Sequence, residues 1–244
     1  MRVFLDAGHN YGPPDTGATG FGLREQDVNF GVADTIRALL ELHGIDVRMS
    51  RRNLTDILGR TLNESLNLRA QMSNDFNADY FVSIHCNAFN GSAFGTESFS
   101  FARGTTGERL AQRIHRQLVG LGLRDRGVKV ANFAVLRNTI APAALVELAF
   151  IDNANDNEIL KNQQFELAEA VTRGILEEMG IKYRGDNMNF KDTTGHWAEQ
   201  TINELRDFGI VNGDENGNFR PNDTATRAEV AIMIANLLKF FNRE

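Results

Sequence analysis

Cysteine, proline and basic charge are all in short supply in this chain. Cys86 is the one cysteine among 244 residues, which excludes an internal disulfide and leaves the redox compartment open. No run of about 18 apolar residues occurs, so no membrane-spanning helix is predicted. Met1-Arg2 leads at once into Val3-Phe4-Leu5 and the polar run Asp6 to Asn10, without the longer apolar stretch and small-residue cleavage site of a secretory leader. Asp and Glu (32) outnumber Lys and Arg (26), a formal net charge of −6, which argues against a nucleic-acid partner. What remains is ordinary for a globular protein, 42% hydrophobic and 24% charged. The length suits one medium domain followed by a small one.

Short apolar runs alternate with amphipathic stretches. Arg2 to Leu5 reads as a buried strand. Asp27 to His43 reads as a helix, with Val28, Val32, Ile36, Leu39 and Leu40 at helical spacing and Gly44 as its C-terminal cap. Ile45 to Met49 reads as strand, Leu58 to Phe76 as helix (Leu62, Leu66, Arg69 and Met72 set the period) and Tyr80 to Ile84 as strand. Strands at Thr96 to Phe101, Phe133 to Leu136 and Ala143 to Leu148 follow, with helices at Thr106 to Leu121 and Gln163 to Met179. This order predicts an α/β fold, a mostly parallel twisted sheet flanked by helices on both faces. It spans residues 1–182. Residues 183–189 are polar and aperiodic and read as a linker. Residues 190–244 form a small α-helical module, two helices (Trp197 to Phe208 and Thr226 to Phe241) around a loop rich in Gly, Asn and Asp.

Four ionisable residues stand out. His9 lies just past the first strand, His85 at the end of the Tyr80 strand, and Glu147 near the end of Ala144-Leu145-Val146, where open sheets gather their ligands. His9, Glu25 and His85 are a donor set for one zinc ion per chain with an open position for water. Glu147 then remains as the acid/base. A lone histidine near a strand end is more often structural than a ligand, but an unpaired carboxylate in an apolar strand needs a function or a fixed partner. Cys86 should face away from its neighbour His85 as a small buried residue. His43 and His115 look ordinary, His115 on the polar face of its helix.

The string Leu5-Asp6-Ala7-Gly8-His9, with Gly12, Asp15, Gly17-Ala18, Gly22 and Glu25, resembles the opening motif of the zinc N-acetylmuramoyl-L-alanine amidases. Ser83-Ile84-His85-Cys86-Asn87-Ala88 resembles their second histidine motif. Arg126-Gly127-Val128-Lys129, Val135-Leu136, Pro142 to Glu147 and Phe150-Ile151-Asp152-Asn153 are similar to their C-terminal half. The resemblance runs from Arg2 to Ile181. It implies His9, Glu25 and His85 as zinc ligands, Glu147 as the catalytic carboxylate, and peptidoglycan as substrate, cut between N-acetylmuramic acid and L-alanine. Ala7 stands where many members have proline and Asn10 where many have glycine, departures expected to alter loop shape only.

From Phe190-Lys191-Asp192 through His196-Trp197-Ala198, Gly209-Ile210-Val211 and Phe219-Arg220-Pro221 to Thr226-Arg227-Ala228-Glu229, the chain resembles one S-layer homology (SLH) repeat. That resemblance implies binding to an anionic secondary cell-wall polysaccharide. Asp192, Trp197 and Arg227 are the candidate glycan residues. Trp197 would offer a flat face to a sugar or else fill the module's core; Arg227 would pair with a ligand carboxylate in forked geometry or else with an internal one. Thr226 and Glu229 form a capping box. A single module this small has a marginal core, which points to docking or to a homo-oligomer. The setting expected is the cell wall, reached as a phage or prophage endolysin through a membrane pore or as a trimmed form of an exported autolysin. The competing functions are a zinc peptidase cutting within the stem peptide and an inactive wall-binding protein.

Overall fold

Strand β1 (Arg2–Ala7) is buried from Val3 onward and takes an inner place in a six-stranded sheet, next to the edge strand β4 (Asp46–Met49). The computed structural model describes residues 1–183 and 190–241. They divide into two compact units, one of Met1–Glu41 and Ile45–Ile181, the other of Leu42–Gly44 and Lys182–Glu244. Of the expected linker, residues 184–189 lie outside the described residues.

In the larger unit a two-residue hairpin, β2 (Thr19–Gly20) and β3 (Leu23–Arg24), leads into α1 (Glu25–Leu42). Helix α2 (Leu62–Phe76) starts four residues later than expected, at the point where Thr61 accepts from the Glu64 amide as N-cap. Then come β5 (Tyr80–Asn87), β6 (Thr96–Ser100), α3 (Thr106–Gly120), β7 (Asp125–Val130), the short α4 (Ala134–Arg137), β8 (Ala143–Phe150), α5 (Ala154–Asn162) and α6 (Gln164–Glu178). The sheet runs β4-β1-β5-β8-β6-β7. Every neighbouring pair is parallel except β6 with β8. The α/β class and the largely parallel sheet flanked by helices are therefore as expected. The strand expected at Phe133 to Leu136 is instead α4, and β7 and α5 were not anticipated.

Alternation places Phe4, Phe81 and Leu145 on one face, where they pack with Phe76 of α2 and Val135 and Leu136 of α4. The same alternation puts Asp6, Ser83, His85 and Glu147 on that face, nearer the strands' C-terminal ends. On the other face Cys86 is buried, its Sγ against Asn29 of α1. Helix α6 lies on α3 so closely that a Cβ at Gly174 would collide with the Ile114 backbone.

The smaller unit is built on α7 (Glu199–Asp207) and α8 (Arg227–Phe241). Phe190, Ile202, Ile210 and Val211 are buried in it, and the Phe190 and Phe219 rings lie 5.3 Å apart. The capping box forms: Thr226 Oγ1 accepts from the Glu229 amide (3.1 Å) while Glu229 Oε2 accepts from the Thr226 amide (2.6 Å).

Candidate metal centre

The register of the sheet assembles the site. His85 on β5 pairs with Glu147 on β8, and Glu147 pairs in turn with Glu97 on β6. His9 follows β1 and Glu25 opens α1. Donor atoms of His9, Glu25 and His85 all lie within 4.8 Å of one another. Two imidazole nitrogens converge on one carboxylate oxygen: His9 Nε2 stands 3.1 Å and His85 Nδ1 3.0 Å from Glu25 Oε1. The other Glu25 oxygen accepts from the Ala18 amide at 2.8 Å. Two glycines make this approach feasible. A Cβ on Gly17 would lie 2.8 Å from Glu25 Oε2 and 2.9 Å from His9 Cδ2, and one on Gly8 would collide with the His85 ring.

The first histidine is held by its surroundings. His9 sits in the left-handed backbone region (φ 63°), uncommon outside glycine. Its Nδ1 donates to Asp15 Oδ1 at 2.8 Å, which turns Nε2 toward Glu25. Asp15 Oδ2 in turn accepts from Ser65 (2.8 Å). Two buried guanidiniums collect the carbonyls of this loop. Arg69 donates to Asp6 Oδ1 (2.6 Å), Ala7 O (2.8 Å) and His9 O (2.7 Å). Arg51 donates to Ala7 O (3.2 Å), Gly8 O (3.4 Å) and Gln26 O (2.6 Å), tying the His9 loop to the first turn of α1. Burial, with the Arg69 charge beside it, lowers the Arg51 pKa to about 10. Asn10 does more than reshape the loop: its side chain accepts from Leu58 N and donates to Leu58 O, both at 3.0 Å, and also accepts from Arg69. A glycine there would leave all three unmade.

Electrostatics separate the two carboxylates. Burial works against ionising Glu25, but hydrogen bonds and charge from His85 and His9 outweigh it and hold Glu25 well below the usual carboxylate range. Burial likewise opposes a charge on His9; Asp15 and Glu25 prevail and raise it to about 9. Glu147 goes the other way. Burial pushes it up to about 7, His85 opposing and the charges of Glu25 and Glu97 adding to the rise. The Glu147 side chain opens partly to a cavity of about 370 Å³ lined also by His9, Glu25, His85 and Phe133, yet its Oε2 is buried without a hydrogen-bond partner. Glu97 is itself held low by Lys129 and Arg126, whose hydrogen bonds and charges overcome its burial.

Residues 3–177 match the family model of the N-acetylmuramoyl-L-alanine amidases. The chain belongs to this family. Residues 189–231 match the S-layer homology domain. Among relatives, the N-acetylmuramoyl-L-alanine amidase CwlM of Bacillus licheniformis is 35% identical over 71% of this chain and 65% of its own length. The endolysin of Bacillus phage SPP1 is 34% identical over 74% of this chain and 66% of its own. The crystal structure of an N-acetylmuramoyl-L-alanine amidase from Clostridium difficile 630 superposes with a TM-score of 0.65 at 33% identity, covering 75% of this chain and 98% of that one. The chain spans less than two thirds of the length of the curated relatives matched first.

His9, Glu25, His85 and Glu147, singled out in the amidase sequence, are thus brought into one cavity. Asp15, Arg51 and Arg69, which hold the His9 loop, were not singled out. The signal for Arg69 was present, since it occupies an apolar position in the period of α2. His115 is a correction: it is buried, its Nε2 2.8 Å from Asp125 on the edge strand β7.

The three SLH candidates sit in different surroundings. Asp192 accepts from the amides of Phe219 (2.9 Å) and Arg220 (2.7 Å), stapling the loop. Trp197 is 91% exposed, so it does not fill the core. Arg227 is exposed and forms no ion pair among the described residues. The module's own cavity, about 510 Å³, is lined by Val211, Asp214, Arg220, Asp223 and Glu229 and by none of the three.

Proposed function

We propose that this chain hydrolyses the amide between N-acetylmuramic acid and L-alanine in bacterial peptidoglycan, with one zinc ion held by His9, Glu25 and His85 and with Glu147 as acid/base. The reading is carried by one observation: an unpartnered carboxylate oxygen, Glu147 Oε2, shares a cavity with three converging nitrogen and oxygen donors. Two imidazoles and one carboxylate are the donor chemistry zinc takes in hydrolases, and they leave a further position open. When bound, zinc would supply Lewis acidity, polarising the scissile carbonyl and acidifying water.

The protein's own groups account for the proton movements. Glu147, ionised near neutral pH, accepts one proton from the attacking water as the new C–O bond forms. It then delivers that proton to the amide nitrogen as the C–N bond breaks, so that the peptide leaves as an amine rather than an anion. A pKa of about 7 suits a group that must take and return a proton at the same pH. Asp15 keeps His9 in one tautomer throughout.

We infer further that residues 190–244 hold the enzyme on an anionic cell-wall polysaccharide through Trp197, Arg227 and Asp192, and that the module self-associates. Support for self-association comes from α8, where Val230, Ile232, Ile234, Leu237 and Leu238 are all exposed. Sedimentation showing monomers at every concentration would remove it.

The test of the catalytic reading is zinc content and wall hydrolysis on the wild type and Glu147→Gln together. About one zinc per chain in both is expected, with new L-alanine amino termini from the wild type and a loss of about 10³-fold or more in the variant. Zinc in both and amino termini from inside the stem peptide would convert the reading to a peptidase. Near-normal turnover by Glu147→Gln would remove Glu147 from the mechanism.

A further inference from the structure

Phe21 is in a place that stability does not explain. It is the first of the two loop residues between Gly20 and Leu23 in the β2–β3 hairpin, with φ 45°, and Gly22 follows at φ 85°. Two positive φ values in a two-residue loop suit Asn-Gly or Gly-Gly, and a bulky aromatic residue is strained there. The residue is 65% exposed, so little burial offsets that strain. Strain of this kind, held in place by surrounding structure, collects at functional sites.

That surrounding structure is visible. Gly20 lies so close on the Ile151 carbonyl that a Cβ would collide with it, and Asn157 Nδ2 donates to both Gly20 O (3.0 Å) and Ile151 O (2.8 Å). The next residue, Asp152, pins a second loop. Its Oδ2 accepts from the amides of Phe89 (3.0 Å) and Gly91 (2.9 Å). Asn153 Nδ2 donates to Gly91 O (3.2 Å). The second loop presents Phe89, 78% exposed. One turn, Ile151 to Asn153, therefore anchors two loops, each bearing an exposed phenylalanine. Phe21 precedes the ligand residue Glu25 by four residues and Phe89 follows His85 by four. Among the described residues neither ring stacks on another aromatic ring or on a guanidinium.

The polar groups around the turn point to the kind of ligand. Residues 88–95 carry no charged side chain, and the turn adds only the carboxylate of Asp152. The cations nearby are already engaged, Arg24 with Asp27, Arg126 with Glu97 and Arg124 over the Phe94 ring, so these two stretches offer no cation of their own to a carboxylate of the stem peptide. A sugar ring offers apolar C–H faces to aromatic rings and hydroxyls to the uncharged Asn90 and Ser92. We propose that Phe21 and Phe89 form a subsite for the glycan strand on the muramic-acid side of the scissile amide, adjoining the metal centre. This rests on the amidase reading above and assigns a surface beyond its reacting groups.

The two roles of Phe21 predict opposite signs in one variant. Phe21→Asn removes the ring and relieves the left-handed strain, so the melting temperature holds or rises while KM on polymeric peptidoglycan increases about tenfold with kcat kept. Phe89→Ala raises KM in the same direction. Peptide-free glycan strands titrated into the full chain and followed by NMR should bind the wild type and lose about tenfold in affinity in each variant, with no such loss for the free stem peptide. An unchanged KM in both variants, a melting temperature lowered by Phe21→Asn, or a loss confined to the stem peptide overturns the subsite. A wild type that binds glycan strands but frees no L-alanine amino termini instead defeats the amidase reading and leaves the subsite standing.

Discussion

At the scale of single residues, the site sets two imidazoles against the carboxylates of Asp15 and Glu25. In the metal-free protein that balance has a measurable pH signature. His9 titrates near 9 folded and about 6.5 unfolded, so its contribution is complete below pH ~6.5 and is lost as pH rises through 9. Glu147 also binds its proton more tightly in the folded state, near 7 against an ordinary carboxylate value, so ionising it costs the fold stability as pH rises toward 7 and the cost is complete above it. Both trends run the same way. Chelator-treated protein should be more stable to urea at pH 6 than at pH 9, and Glu147→Gln should be more stable than the wild type at pH 8 by roughly 2–3 kcal/mol. Equal stability of the two at pH 8 would show that Glu147 is solvated. With the proposed ligand set, zinc must compete with the His9 proton, so apparent zinc affinity should climb about tenfold per pH unit below pH 9 and then level. Asp15→Asn, which weakens one cause of the raised His9 value, should move that levelling to lower pH in a competition titration against a chromophoric chelator.

At the scale of elements, two buried arginines do different jobs. Arg69 on α2 neutralises Asp6 and stands 3.6 Å from Asp15, so Arg69→Met leaves buried negative charge behind and should cost about 3–5 kcal/mol in urea unfolding. Arg51 donates only to main-chain carbonyls among its described partners, and Arg51→Met should cost less, about 1–3 kcal/mol. If the two variants were equally destabilised, the counter-charge role of Arg69 would be wrong. Arg51 could not be read from spacing, because it acts through carbonyl groups that any sequence supplies, whereas Arg69 stood at an apolar position in its helix's period and only its partners were hidden. His9, His85 and Glu147 were legible because polar residues stood at or near the ends of apolar strands. The long periodic helices were legible for the same reason that they are stable: one face is apolar. Strand β7 was not, since none of Asp125 to Val130 is buried and the edge strand carries Arg126 and Lys129 for pairing with Glu97. Four residues at Phe133 to Leu136 are too few to separate a strand from a helical turn, and there the structure forms α4, with Val135 and Leu136 buried and Phe133 open to the cavity.

At the scale of the whole molecule, catalysis and retention are assigned to different units, and they can be pulled apart. Every residue proposed for catalysis, with Arg51, Arg69 and Asp15 behind it, lies within Met1–Glu41 and Ile45–Ile181. Residues 1–182 should therefore fold and cut soluble muropeptides with kcat/KM within about twofold of the full chain. On insoluble walls the comparison changes. A second binding module makes encounter with the scissile bond effectively intramolecular, so removing it should lower apparent wall affinity by about tenfold or more without touching kcat. Trp197→Ala in the full chain separates loss of the module from loss of one contact. Because Trp197 is so exposed, the substitution should leave the melting temperature within about 1 °C, as surface changes do. Pull-down on walls and turnover on soluble fragments, measured for the full chain, residues 1–182 and Trp197→Ala, give the decisive pattern. Retention should fall in both variants while soluble turnover stays constant. A fall in soluble turnover for residues 1–182 would mean that the smaller unit supports the active one directly, and retained wall binding in Trp197→Ala would move the glycan site toward the Arg220 cavity.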